Sequence, residues 1–378
     1  MKKVILTTVF SGYNYGSSLQ ALAGKMILNE LGYDCLLVAQ KSLVKGRDIR
    51  IKKLLTILLR SFILKNKSGT ESLSTYQNSY NKTMIGDSIS RFNRFTYTYL
   101  QPNYLSSTGM SLAAKKAVAC FAGSDQIWNS STLYVDPMYY LRFAPIEKRI
   151  AFAPSFGRDF IADYNKEKMS HWIGEFAHLS VREDSGIKLV KEMTGREAIH
   201  LVDPTLMING DTWKKTLAIK NKGCNYILAY FLDKPSDSAC KAIAELKKCL
   251  NCKVIGIPYQ FDDMNYCDEV VPTGPIEFLD FVNNAKCVLT DSFHGTAFSI
   301  NLHTPFYVFG RAYGTAHSQN SRVESILKKM NMLDRFEPKD VCSQYDKIDF
   351  VYSEYILTEE RKKAREYISN ALKNIKIK

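Results

Sequence analysis

The stretch FAGSDQIWN, residues 121–129, joins the end of a strand to a dense group of polar side chains. Residues 117–120, just before it, form an apolar run typical of a buried strand. A strand that ends in Gly-Ser-Asp exposes backbone N–H groups, and open α/β sheets bind ligands at the carboxyl ends of parallel strands. The stretch therefore predicts a parallel strand that leads into a ligand site. The alternative is a capped turn that surrounds one buried tryptophan, Trp128.

A second segment repeats this order of strand, tight loop and helix. Residues 287–290 have the pattern of a buried strand, DSFHG at 291–295 that of a loop, and residues 296–302 that of a helix. This order places His294 at or just before a helix N-terminus, where unpaired N–H groups and the helix dipole favour anions. We therefore predict a functional role for His294, with a structural histidine as the alternative.

Strand and helix patterns alternate in both halves of the chain, which favours parallel sheets. The first strand spans residues 4–10, and Ser17 or Ser18 is predicted to cap the helix that follows. Between residues 208 and 224 the apolar pattern weakens and Lys, Asn and Gly accumulate, which predicts a hinge. We therefore predict an α/β protein with an N-terminal domain of residues 1–207, a C-terminal domain of residues 208–357 and a final helix of residues 358–378.

Composition limits the classes of protein to consider. With 378 residues, of which 46% are hydrophobic, the chain can bury a large core in two domains. Its formal net charge of +13 favours anionic partners. The nine cysteines are irregularly spaced, which fits a reducing compartment better than a disulfide framework. Cys249 and Cys252 form one CxxC, but no second pair completes a zinc site, so we expect no metal.

The N-terminal sequence MKKVILTTVF has the lysines and the short apolar run of a signal peptide. Threonines interrupt the run, however, and no cleavage pattern follows it, so we interpret it as the first buried strand. No stretch approaches the ~20 apolar residues that a membrane-spanning helix needs. We therefore predict a cytoplasmic protein.

One segment departs from the alternating pattern. Residues 41–67 carry nine Lys or Arg against one acid, Asp48, and residues 51–64 within them are strongly apolar. A basic amphipathic segment of this length suits the surface of an anionic membrane, which predicts peripheral contact with the inner membrane face. The alternative is a basic helix that packs on the N-terminal domain.

Six segments together resemble the polysaccharide pyruvyl transferase family. The most specific are GSDQIWN at 123–129 and DSFHGTAFSINLHTPF at 291–306. The others, in the expected order, are SGYNYGSSLQALA at 11–23, SVRED at 180–184, DPTLM at 203–207 and SRVESILKKMNML at 321–333. The resemblance implies transfer of the enolpyruvyl group of phosphoenolpyruvate to two hydroxyls of a sugar in a polysaccharide precursor, giving a pyruvate ketal. It also implies a GT-B-like fold, in which two Rossmann-like domains with parallel sheets face each other across a cleft and the last helix crosses back.

The resemblance also implies roles for individual residues. Phosphoenolpyruvate carries a carboxylate and a phosphate, which arginine recognises best because its fork matches both groups. His294 is expected to be the proton donor or phosphate partner, and Arg182 to meet one of the donor's anionic groups in the cleft. The alternative for Arg182 is a surface arginine paired with Glu183 or Asp184. Some family members have an arginine two residues before the histidine, where this chain has Ser292.

The missing arginine leaves one donor contact to be supplied elsewhere, by Arg311 or Arg322. On the acceptor side, Asp125 and Gln126 are expected to hold sugar hydroxyls and Trp128 to stack on a sugar face. Asp203 is interpreted as a residue that fixes its loop. The predicted substrate-binding residues are Gly16, Ser18, Gly123, Ser124, Asp125, Gln126, Trp128, Asn129, Ser292, Phe293, Gly295, Arg311 and Arg322.

The expected partners are phosphoenolpyruvate and a sugar acceptor, with a lipid-linked acceptor left open, and no cofactor, metal or nucleic acid. One alternative is a nucleotide-sugar glycosyltransferase on the same kind of fold, since fold does not determine chemistry. Such an enzyme would use an acidic residue late in the second domain, a role left open for Glu324. The other alternative is a basic protein that binds membrane or nucleic acid without catalysis.

Overall fold

Two units, each built around a parallel five-stranded sheet, make up the chain in a computed structural model. The structure describes residues 1–42, 50–63, 85–223, 225–258, 264–311 and 321–375. The first unit comprises the described residues of Met1–Ser74, Thr96–Met207 and Glu360–Lys378, and the second comprises those of Thr75–Phe95 and Ile208–Glu359. Residues 85–95, which the predicted N-terminal domain included, thus group with the second unit.

The strands and helices are numbered here in chain order over the described residues. They are β1 (Lys2–Thr7), α1 (Tyr15–Glu30), β2 (Tyr33–Gln40), α2 (Ile51–Ile63), α3 (Ser88–Phe95), β3 (Asn103–Leu105), α4 (Ser107–Lys116), β4 (Ala119–Ala122), β5 (Arg149–Ala151), α5 (Asp163–Gly174), β6 (Ser180–Val181), α6 (Asp184–Thr194), β7 (Ile199–His200), α7 (Pro204–Met207), α8 (Gly210–Leu217), β8 (Tyr226–Tyr230), α9 (Asp237–Leu250), β9 (Lys253–Ile257), β10 (Glu269–Val270), α10 (Pro275–Asn284), β11 (Cys287–Thr290), α11 (Phe293–Asn301), β12 (Phe306–Val308), α12 (Ser321–Lys329) and α13 (Phe350–Lys373). Within the described residues, no helix is long and apolar enough to cross a membrane.

The sheet of the first unit has the strand order β3-β2-β1-β4-β5. All its neighbouring strands are parallel, and Val4 of β1 lies opposite Cys35 of β2 on one side and Ala119 of β4 on the other. The chain therefore builds outward from β1 to β3, returns, and continues on the other side from β4. This reversal creates a topological switch point between β1 and β4, where open α/β sheets bind ligands.

The sheet of the second unit repeats this topology with the order β10-β9-β8-β11-β12. Its neighbouring strands are also parallel, with Leu228 of β8 between Ile255 of β9 and Val288 of β11. The switch point of this unit therefore lies between β8 and β11. The predicted α/β fold with two Rossmann-like parallel sheets is confirmed, whereas the cleft between the halves stays a prediction.

Several local predictions need correction. Asn14, and neither Ser17 nor Ser18, caps α1, because its side chain accepts a hydrogen bond from the backbone N–H of Ser17 at 2.9 Å. The predicted hinge of residues 208–224, by contrast, starts where the two units divide, after Met207, and it stays a prediction; it contains α8, whose Trp213 is buried. The final helix, predicted from residue 358, already begins at Phe350.

The cysteine prediction also needs correction, because Cys249 is bonded to Cys342. The two residues are 93 positions apart in sequence, so the local spacing of the cysteines could not predict this disulfide. Cys252, the other cysteine of the CxxC, remains a free thiol in the structure.

Trp128, which was predicted to stack on a sugar, packs instead in the core of the first unit. It is 0% exposed, and its ring lies 5.8 Å from that of Tyr140 and 5.3 Å from that of Phe176. The indole N–H donates a hydrogen bond to the carbonyl oxygen of Tyr139 at 3.3 Å. Stacking on a sugar is contradicted, because no face of the indole is open to solvent.

We expect the substitution Trp128→Ala to lower the free energy of unfolding by about 3–5 kcal/mol, because it leaves a large cavity among aromatic rings. Urea unfolding followed by far-ultraviolet circular dichroism measures this change. Tyr97→Ala is the matched control: this ring is 82% exposed, so its loss should cost less than about 0.5 kcal/mol. A similar small loss for Trp128→Ala would contradict the structural role.

Candidate active site

The loops that leave β1 and β4 meet at the switch point of the first unit. The hydroxyl of Thr8 donates a hydrogen bond to the carbonyl oxygen of Ser124 at 2.8 Å. A Cβ atom at Gly123 would lie only 2.9 Å from the Cβ of Thr8, so glycine permits this close approach. The side-chain amide of Gln20 on α1 donates to the Thr8 hydroxyl at 2.9 Å and to the carbonyl oxygen of Val9 at 2.7 Å. The predicted motif loop is thus tied to β1 and to α1.

Asp125 connects the same loop to the first turn of α1. Its carboxylate accepts hydrogen bonds from the hydroxyl of Ser17 and from the backbone N–H of Gln126. Its φ of +66° is the left-handed region, which aspartate tolerates better than most residues. Gly16 and Ser18 flank Ser17 and are buried. The structure therefore brings these two predicted residues to the same corner as Ser124 and Asp125.

The amide side chains of Gln126 and Asn129 bond to each other, with Asn129 Nδ2 donating to Gln126 Oε1 at 3.0 Å. Gln126 also packs against Gly157, which has a φ of +69° and where a Cβ atom would lie 2.7 Å from Gln126 Oε1. The loop after β5 is held in turn by Glu183, whose carboxylate accepts from the hydroxyl of Ser155 at 2.7 Å and the N–H of Phe156 at 2.9 Å. The loops after β4, β5 and β6 are therefore packed together.

Arg182 lies beneath this group of loops in a buried ion pair. Its guanidinium is 2.5 Å from the carboxylate of Asp203, and both side chains are almost fully buried. Asp203 also accepts from the hydroxyl of Ser124 at 3.1 Å and from the N–H of Thr205 at 2.9 Å. The predicted alternative of a surface arginine is wrong, because Arg182 is buried and forms an ion pair with the buried Asp203. The interpretation of Asp203 as a loop-fixing residue agrees with these contacts.

Charge explains why Arg182 tolerates this burial. Burial by itself lowers the pKa of the guanidinium, but the negative charges of Asp203, Glu183 and Asp125 outweigh it, so the pKa of Arg182 lies above its usual value. Arg182 is therefore always protonated and already shares its charge with Asp203. The contact of Arg182 with a donor stays a prediction. Its observed partner is Asp203, which in turn binds Ser124 of the motif loop.

In the second unit, Asp291 joins the two loops of the switch point. Its carboxylate follows β11 and accepts from the backbone N–H groups of Leu232 at 2.6 Å and Asp233 at 2.9 Å, just after β8. Arg311 pairs with the same carboxylate, with Nε 3.1 Å from Oδ2. Burial raises the pKa of Asp291, although Arg311 and the two N–H groups act in the opposite direction.

His294 lies in the first turn of α11, directly after this loop. Ser292 caps the helix by accepting from the N–H of Gly295 at 3.3 Å, and the ring of His294 meets that of Phe293 edge-on at 5.3 Å. A Cβ atom at Gly295 would lie 2.5 Å from the hydroxyl of Thr290, so glycine lets α11 begin against the end of β11. The prediction of a histidine at a helix N-terminus is confirmed.

The structure thus gathers the predicted residues of the second unit around one loop and helix start. These are Ser292, Phe293, His294, Gly295 and, through Asp291, Arg311. Arg322 is half-buried in the first turn of α12. Sequence reasoning missed Ser17, Glu183 and Asp291 as members of the two groups. The signal available for Asp291 was its position directly after a predicted strand, the same position that singled out the motif in the first unit.

We expect Arg182→Leu to lower the free energy of unfolding by about 3 kcal/mol or more, because it leaves the buried carboxylate of Asp203 without its cation. Adding Asp203→Asn should recover much of this loss, since it removes the uncompensated charge. Urea unfolding of the two single variants and the double variant measures the coupling. Additive losses in the double variant would contradict the ion pair as the main role of Arg182.

Comparison with known proteins identifies the family. The profile described as "Polysaccharide pyruvyl transferase" matches residues 14–313, well over half of the chain. General stress protein 30 of Bacillus subtilis is 29% identical over 168 residues, which are 43% of this chain and 46% of that protein. The match therefore spans about half the length of this relative.

The solved structures to which this chain is similar include UDP-GlcNAc 2-epimerases. The enzyme from Neisseria meningitidis, bound to UDP-GlcNAc, is 11% identical with a TM-score of 0.45, over 100% of this chain and 95% of that one. The enzyme from Methanocaldococcus jannaschii, in complex with UDP-GlcNAc and UDP, is 11% identical with a TM-score of 0.44, over 98% and 99% of the two chains. The family itself rests on the profile match: this chain belongs to the polysaccharide pyruvyl transferase family.

Proposed function

We propose that the protein transfers the enolpyruvyl group of phosphoenolpyruvate to two hydroxyls of a sugar in a cell-surface polysaccharide precursor. The products are a pyruvate ketal and phosphate. The observation that carries the proposal is the position of His294, at the start of α11 and at the switch point of the second unit, within the range that matches the family profile.

The donor is proposed to bind at this switch point because its anionic groups match what the loop offers. The N-terminus of α11 presents the positive end of the helix dipole, which stabilises a phosphate or carboxylate. Arg311 is held beside it by Asp291, in the role that the sequence left open between Arg311 and Arg322. Because Asp291 takes part of this charge, His294 and the helix N-terminus are the stronger anion partners.

The reaction needs a general acid, and we assign this role to His294. A general acid gives a proton to the C3 methylene of phosphoenolpyruvate as C2 becomes electrophilic, and one sugar hydroxyl attacks C2 and loses its proton. The bond between C2 and the phosphate oxygen breaks, phosphate leaves with the electron pair, and the second hydroxyl closes the ring on C2. Of the two hydroxyl protons released, one replaces the proton given to the methyl group and the other leaves with phosphate.

The acceptor hydroxyls are proposed to bind at the switch point of the first unit. Asp125 offers carboxylate oxygens there, and the neighbouring Gln126 and Asn129 offer amides that both donate and accept hydrogen bonds. Arg182 and Asp203 are positioning residues in this proposal, since they support the loop through Ser124. Sugar stacking by Trp128 has no part in it.

Donor choice separates this function from its rivals. We expect phosphoenolpyruvate, at a hundred times its dissociation constant, to stabilise the folded chain by about 2.7 kcal/mol, while UDP leaves the melting temperature unchanged. Mass spectrometry of reactions with a panel of sugars should show a product heavier by one pyruvic acid less one water. Stabilisation by UDP without phosphoenolpyruvate would favour a nucleotide-sugar glycosyltransferase. No response to either donor would favour a non-catalytic binding protein.

The role of His294 has its own test. We expect His294→Gln to lower turnover by at least ~100-fold, because glutamine forms hydrogen bonds but cannot deliver the proton. Isothermal titration with phosphoenolpyruvate should still detect binding. The matched control is His303→Asn, since His303 follows the same helix with its ring 46% exposed, and asparagine tolerates its φ of +57°. Activity of His294→Gln near that of the control would remove His294 from the mechanism.

A further inference from the structure

Helix α2 packs on the first unit with a face of mixed polarity and turns most of its large apolar side chains outward. The partly or fully buried positions share one face of the helix and are Lys53, Leu54, Thr56, Ile57, Arg60 and Ser61. Globular proteins normally bury the apolar stripe of a surface helix and leave the charged side in water. Helix α2 therefore exposes most of the apolar surface that such a helix normally buries.

Two arginines hold the helix in this orientation. Arg60 donates to the side-chain oxygen of Asn165 at 2.9 Å and to the carbonyl oxygen of Leu133 at 3.3 Å. Arg50, just before the helix, forms a buried ion pair with Asp136 and donates to the side-chain oxygen of Gln40 at 2.6 Å. Because these contacts fix both ends of the helix, the outward apolar face is a built feature of the first unit.

The outward face consists of large apolar side chains at helical spacing. Phe62 is 84% exposed, and Leu55 and Leu59 are each at least 60% exposed. The complete exposed set is Ile51, Leu55, Leu58, Leu59, Phe62 and Ile63. Lys52 is exposed beside this face, and the sequence of Ile51–Ile63 contains no acidic residue. An apolar face with a lysine beside it, on a helix that contains no carboxylate, matches the anionic headgroups and acyl chains of a lipid surface.

A cavity at the N-terminal end of α2 adds a second, independent observation. Its volume is about 480 Å³, and its lining includes the cationic residues Lys41, Arg50 and Lys52. Arg50 is already paired with Asp136, so Lys41 and Lys52 supply the charge that an anion would meet. The start of a helix also favours anions through its unpaired N–H groups. The cavity is therefore suited to a phosphate group, next to side chains suited to acyl chains.

We propose that α2 docks the protein on an anionic membrane, with the outward apolar face in the headgroup region and a lipid phosphate in the cavity of Lys41 and Lys52. The proposal concerns where the chain works, and it stands whether or not the pyruvyl transfer is correct. It uses only described residues; residues 43–49 and 64–67 of the basic segment 41–67 lie outside them. Of the basic residues in segment 41–67, the proposal leaves Arg50 and Arg60 out of the lipid contact, because they hold the helix to its own domain.

A second copy of the chain is the main competing occupant, and charge argues against it. A two-fold contact places the same surface on both partners, so it would bring two helices with lysines and no carboxylates together. An anionic bilayer instead neutralises these lysines. Charge complementarity therefore favours lipid over self-association.

The test is co-sedimentation of the full-length chain with vesicles at low salt. Vesicles of phosphatidylcholine and phosphatidylglycerol in equal parts should bind the chain, and those of phosphatidylcholine alone should not. The variant Leu59→Gln with Phe62→Gln should reduce binding at least ~10-fold, because it removes the apolar anchors. Lys41→Gln with Lys52→Gln should reduce it by about fivefold per lysine, and added salt should weaken wild-type binding in the same way.

Helix α4 supplies the matched control, since it belongs to the same unit and exposes Leu112, Lys115 and Lys116. The variant Leu112→Gln with Lys115→Gln should bind vesicles as wild type does. All variants change exposed side chains, so circular dichroism and melting temperature should match those of wild type.

Three results would overturn the proposal. The first is wild-type chain that ignores the anionic vesicles or binds both kinds of vesicle equally. The second is an equal loss of binding in the α4 control, which would show a nonspecific effect of total charge and apolar surface. The third is a dimer in sedimentation velocity that Leu59→Gln with Phe62→Gln converts to a monomer, with no vesicle binding, which would assign the face to a second copy.

Discussion

Parallel strands release the chain at the same edge of a sheet, and this constraint positions the predicted site residues of each unit. In the first unit it brings the loops after β1 and β4 together, so that Thr8 meets Ser124 directly. In the second unit it does the same for the loops after β8 and β11, which Asp291 joins. Residues far apart in sequence thus become neighbours.

The two units support these loops by the same physical device. A buried aspartate after a strand accepts hydrogen bonds from loop groups and pairs with an arginine: Asp203 with Arg182, and Asp291 with Arg311. Burying such a pair gains little net stability, because desolvation costs about as much as the attraction returns. The benefit lies in geometry, since a buried carboxylate with several donors fixes where the loop can lie. The same aspartates therefore link the fold to the candidate chemistry.

Sequence reasoning succeeded where the signal was local. Apolar runs followed by Gly-Ser-Asp or Asp-Ser-Phe-His predicted both strand exits, and the helix start at His294 followed from the same pattern. It failed where the answer depended on contacts distant in sequence. The exposure of Trp128 depends on rings such as Phe176, and the partner of Arg182 lies 21 residues further along.

Helix α2 shows the same limit in another form. Periodicity predicts that a helix has an apolar and a basic side, but not which side meets its own domain. That choice is made by Asn165 and Asp136, which are more than 70 residues away and attract the arginines inward. The basic segment was therefore recognisable from sequence, while its orientation required the structure.

The disulfide between Cys249 and Cys342 has a consequence for the unfolded chain. It closes a covalent ring across a separation of 93 residues, and that ring contains Asp291, His294 and Arg311. In a chain-entropy treatment, a ring of this size removes roughly 4–5 kcal/mol of conformational freedom from the unfolded state at 25 °C. Thiol reductants would open the ring and return that freedom to the unfolded segment that carries the proposed donor site. The strands of the first unit lie outside the ring. The redox state of the surroundings would then change the stability of the folded second unit, which carries the proposed donor site.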